Sequence, residues 1–139
     1  MLMGLLQQIF GSGREKDPLI ITDFCLVDGG LYLDIINVSD IPAHNVCHEC
    51  SHPIPSVGGS RNLAELPVMR NVPFMAPRKH IRLFVDPIET FLHFWQEEQL
   101  RIRTIYKSPQ GASCRMDSVH DPRILGGLPP TSSADFYHH

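Results

Sequence analysis

Polar and apolar residues alternate along several stretches of this chain, the period-two pattern of strands with one buried face. Leu31, Leu33 and Ile35 fall on one face of a segment 31–36, and Ile81, Leu83 and Val85 do the same over 80–85. Leu100, Ile102, Thr104 and Tyr106 share a face, with Arg101 and Arg103 turned the other way. Residues 19–27 form an apolar, β-rich run, followed by Asp28-Gly29-Gly30, whose Asp-Gly step suits the positive φ angles of a tight hairpin. Residues 43–50 read as a third strand, and 112–119 as a last one after the turn Ser108-Pro109-Gln110-Gly111. Between these lie a stretch rich in Pro, Gly and Ser (53–62), expected to be a flexible loop, and a strand-like run over 63–72. Pro67 and Pro73 would confine that run to a sheet edge.

The period changes once. Ile88, Phe91, Leu92 and Trp95 recur at helical spacing. Asp86-Pro87-Ile88-Glu89 offers an N-cap, a first-turn proline and a capping-box glutamate, so the sequence predicts a helix of about three turns over 87–98. Phe94 falls off the apolar stripe, and with Trp95 it is a candidate partner-binding residue. At the other end, Leu2, Leu5, Leu6 and Ile9 would line one face of a short helix over 1–10. Gly11-Ser12-Gly13 breaks it, and a charged linker runs to Pro18. The expected organisation is thus an amphipathic segment and linker (1–18), one domain (19–123) and a disordered tail (124–139) ending in His138-His139, native or left from a tag.

The segment N-V-S-D-I-P-A-H-N-V, Asn37 to Val46, resembles the N-x-G-x-x-P-A-x-N-V joint of small prokaryotic immunoglobulin-like modules of the CARDB type. The spacing from Tyr106 to Gly111 is similar to theirs as well. Met75-Ala76-Pro77-Arg78 stands where that family has L-x-P-G, without the glycine. The likeness spans about residues 19–120. It implies an all-β fold, an immunoglobulin-like β-sandwich of about seven strands, here with one inserted helix, and a non-enzymatic interaction or accessory role.

Composition narrows the classes further. A chain of 139 residues is one domain's worth, and 42% hydrophobic with 19% charged residues is ordinary for a globular protein. A net charge of −3 offers no basic excess for phosphates, which argues against nucleic acid as a partner. The N-terminal run is short, has no basic n-region and is interrupted by Gln7 and Gln8, so neither a signal peptide nor a membrane span is expected there. The expected setting is cytoplasmic, with thiols reduced.

One cluster could carry chemistry. His44, Cys47, His48, Cys50 and His52 fall within nine positions, a vocabulary suited to zinc. On a strand, Cys47 and Cys50 point to opposite faces, whereas His48, Cys50 and His52 share one. The spacing of Ala43 and Val46 turns that shared face inward. A metal site on these three, with His44 or Cys47 in support, is set against a buried cysteine flanked by hydrogen-bonded histidines. Catalytic signatures such as G-x-S-x-G, a P-loop or G-x-G-x-x-G are missing from the sequence. The leading expectation is a non-enzymatic module with a protein partner and no cofactor. The alternatives are a zinc-binding domain and a peripheral membrane protein tethered by Leu2, Leu5, Leu6 and Ile9.

Overall fold

A computed structural model describes residues 17–127. Residues 1–16 and 128–139 lie outside the described part, and with them the expected N-terminal helix (Leu2, Leu5, Leu6, Ile9), most of the expected tail and His138-His139.

The chain forms a β-sandwich. Its long strands are β1 (Ile20–Val27), β2 (Gly30–Asn37), β3 (Ala43–Cys50), β6 (Val72–Met75), β7 (His80–Pro87), β8 (Leu100–Lys107) and β9 (Ser113–His120). A small hairpin, β4 (Pro55–Ser56) and β5 (Arg61–Asn62), sits at one end. One sheet runs in the order β1-β2-β7 and the facing one in the order β6-β3-β8-β9, with every neighbouring pair antiparallel. The predicted Asp-Gly hairpin joins β1 to β2. Asp28 and Gly29 take φ of 50° and 82°, and Val27 pairs with Gly30.

The alternating residues meet between the sheets. Ile20, Phe24, Leu33 and Ile35 face Val46, Leu100, Ile102 and Tyr106, all at 7% exposure or less. The joint after β2 is held by Asn37, which is fully buried. Its amide donates to the carbonyls of Ile41, Met75 and Ala76, and its oxygen accepts from Ser39. A buried amide with every bond satisfied stabilises one chain path over others.

Four expectations are corrected. Residues 63–72 are no edge strand. They form a 3₁₀ turn, Leu63–Glu65, and then α1 (Pro67–Arg70), and only Val72 begins a strand. Asn62 caps the turn by accepting from the Ala64 amide, and Pro67 stands at the start of α1, where its missing N–H costs nothing. Leu63 and Met69 thereby reach the core. Residues 53–62 are not a loose loop, because Ile54 and Ser56 are buried and Ser56 donates to the Val85 carbonyl at 2.5 Å.

The inserted helix, α2, covers only Ile88–Phe94, and Asp86 does not cap it. The Asp86 carboxylate instead accepts from the Gly58 amide at 3.0 Å. The helix starts after Pro87 with no side-chain cap, while the Ile88 amide donates to the Gly29 carbonyl at 2.8 Å. Residues 124–127, expected in the tail, complete a 3₁₀ turn, Pro122–Gly127. Leu125 packs against the core, and Gly126 lies so close to Leu92 that a β-carbon would collide with it.

Candidate functional site

Strand β3 does not deliver its cysteines and histidines to one place. A bulge between His44 and Cys47 puts Asn45 in the left-handed region, φ 53°, which asparagine tolerates better than most residues. Ala43 and Val46 are therefore both buried although three positions apart. His44 lies on the outer face, edge-on to the exposed ring of Phe74 at 5.3 Å. Cys47, next to buried Val46, also turns outward, while His48 and Cys50 turn inward.

His48 is seated by a 3.0 Å hydrogen bond between its Nδ1 and Thr104 Oγ1, its partner across β8. Its Nε2 is buried with no hydrogen-bond partner among the described residues. Burial holds the imidazole down to about 4, so it is neutral at ordinary pH. Burial likewise pushes the half-buried Cys50 thiol up to about 11, disfavouring the thiolate that metal binding or nucleophilic attack needs. His52 lies beyond the strand's end and leaves the row. Its ring bonds Ser51 Oγ at 2.9 Å and Glu97 Oε1 at 3.3 Å. Among the described residues, no three His, Cys, Asp or Glu side chains converge as metal ligands. His48 and Cys50 share the inner face as the spacing predicts, and His52, His44 and Cys47 stand elsewhere.

His52 instead belongs with the candidate aromatic pair. A groove of about 340 Å³ runs between the β4–β5 hairpin and the end of α2, lined by His52, Pro53, Arg61, Phe94, Trp95 and Glu97 among others. Trp95 closes α2, with its amide on the Phe91 carbonyl. Its indole stacks on Phe91 at 5.6 Å and 17°, and His52 stands edge-on against it at 6.2 Å and 90°. Trp95 is only 6% exposed, and its N–H finds no acceptor among the described residues. Phe94, the residue before it, is 41% exposed. Its ring rests on Gly59, φ 82°, where a β-carbon would lie 2.7 Å from it. The glycine is thus needed twice, for the turn and for the ring above it.

The model of a domain of unknown function (DUF8453) matches residues 13–125. The chain belongs to the DUF8453 family. No curated protein matches it. The match covers the whole sandwich of this DUF8453 domain, so the groove and the β3 row both lie inside the family's domain.

Sequence reasoning picked out His52, Phe94 and Trp95 but not Arg61 or Glu97 of this DUF8453 domain. No periodicity reports that Arg61 and Glu97 line one groove.

Proposed function

We propose that this domain is a non-enzymatic interaction module that holds a protein partner in the groove between the β4–β5 hairpin and α2. The observation that carries this reading is Phe94, a large ring fixed against Gly59 and left 41% exposed at the groove's rim. Aromatic anchors positioned in advance, with a polar rim of Arg61, His52 and Glu97, suit protein recognition, because little entropy is lost when the partner arrives. The strand order β1-β2-β7 against β6-β3-β8-β9 supports reading the sandwich as immunoglobulin-like, close to the CARDB-type modules that its Asn37–Val46 joint resembles. Such folds host many functions, so the role rests on the groove and not on the fold.

The test is selection from a displayed library of random peptides on wild type and Phe94→Ala, after matching melting temperatures show both fold alike. Selected peptides are then titrated against the emission of Trp95, the chain's one tryptophan. Enrichment on wild type that drops on the order of tenfold or more with Phe94→Ala is expected for a hot-spot aromatic. Equal enrichment on the two proteins, or none on either, defeats the reading.

A further inference from the structure

The hairpin that flanks the groove carries an unexplained backbone strain. Val57, at the tip of the β4–β5 hairpin, has φ 52° and is 59% exposed. A β-branched side chain rarely takes that conformation, and here no burial compensates it. The turn nevertheless holds it there. The Ser60 amide and hydroxyl both donate to the Val57 carbonyl, at 3.2 Å and 2.7 Å, and Gly58 is tied to buried Asp86. Asparagine or glycine would fit the angle better. A strained apolar residue kept in solvent two positions from Gly59, on which the exposed Phe94 ring rests, is the kind of outlier that marks a contact.

The charges around these two residues indicate what makes the contact. Arg61 and Glu97 line the same groove, yet neither pairs with the other. Arg61 is exposed and has no ion pair among the described residues. Among the described residues Glu97 has only the His52 imidazole, which balances its charge only when protonated. A two-fold interface brings one patch against its own copy, so the patch must carry its own complement. An apolar centre flanked by Arg61, with no ion pair among the described residues, and by Glu97, held only by an imidazole, meets that requirement, whereas a partner of a single charge sign would leave one of the two opposed.

We infer that this end of the sandwich is a two-fold contact between two copies of the chain. Val57 and Phe94 pack against their counterparts, and Arg61 of each copy meets Glu97 of the other. The inference rests on the groove being an interaction face and names its occupant.

The experiment is sedimentation equilibrium of the full chain from micromolar to about 1 mM. The average mass of wild type is expected to climb from the monomer's 15.7 kDa toward twice that value. Arg61→Glu and Glu97→Arg should each weaken association on the order of tenfold or more, by opposing like charges at two symmetric places. The double swap, Arg61→Glu with Glu97→Arg, should restore it. Val57→Asn should weaken association without lowering the melting temperature, which separates lost contact from lost fold.

A chain that stays monomeric throughout, or a dimer indifferent to the single swaps, overturns the inference. If the chain is monomeric but Phe94→Ala still abolishes peptide enrichment, self-association falls alone and the groove remains a site for another protein. If enrichment is unaffected as well, both fall.

Discussion

His48 shows how a residue with the vocabulary of a metal ligand is turned to a structural one. Its inward direction follows from the Ala43 and Val46 spacing, so that much is legible in the sequence. What decides its chemistry is Thr104, opposite it on β8, and its burial. The unfolded imidazole takes its proton near 6.5, whereas the folded one resists it down to about 4. Above 6.5 both states are neutral and the group contributes nothing to pH dependence. As pH falls from 6.5 toward 4, the unfolded chain binds a proton that the folded one does not, and stability drops by up to about 3 kcal/mol. His120, also held low, chiefly by burial, adds to the same slope. We predict that His48→Gln, which keeps a partner for Thr104, flattens the decline of unfolding free energy measured by urea titration between pH 7 and 4.5. Parallel curves for the two proteins would show that His48 is solvated and not buried.

Elements defined by their own periodicity were legible, and those defined by competition for partners were not. β1, β2, β3, β7, β8 and β9 lie within two residues of the expected spans, because alternation of period two survives any tertiary context that buries one face. Residues 63–72 misled because Val and Leu in an edge position read as strand, while Asn62 and Pro67 supplied caps that no strand has. Asp86 is the sharper case. Asp-Pro-Ile-Glu is a local helix signal, yet a carboxylate can serve only what lies within its reach, and the Gly58 amide from the hairpin takes it. It follows that Asp86→Ala should loosen the β4–β5 hairpin and not α2. The expected cost is about 1–2 kcal/mol, for a buried charge-assisted bond and the amide left behind. Amide exchange should accelerate at Gly58 while the amides near the end of α2 keep their relative protection. Selective loss of protection within α2 would restore the capping-box account. The groove was half legible for the same reason. Phe94 declares itself by standing off an apolar stripe, but its seat on Gly59 is a contact between segments thirty-five positions apart.

Two sheets that face each other through apolar side chains can slide unless something polar fixes their offset, because hydrophobic attraction has no direction. In this molecule that role falls to a few cross-sheet bonds near the edge where β1 meets β8 and β9. The Tyr106 hydroxyl donates to the Pro18 carbonyl at 3.2 Å and accepts from the Ile20 amide at 3.3 Å, pinning the start of β1 to the end of β8. Thr22 reaches Ser118 at 3.0 Å and His120 at 3.2 Å across the same seam. Tyr106 is 2% exposed, and burial pushes its hydroxyl up to about 12. The folded state therefore keeps the phenol neutral where the unfolded chain, near 10, has begun to lose its proton. The stabilisation is fully present below pH 10 and is lost as pH rises toward 12. Tyr106→Phe removes both the tie and the titration. It should cost about 1–2 kcal/mol at neutral pH, and the gap to wild type should narrow between pH 10 and 12. Denaturant titrations of the two proteins at pH 7, 10 and 11.5 measure both effects. A gap that stays constant across that range would mean that the phenol ionises equally in the folded and unfolded chain.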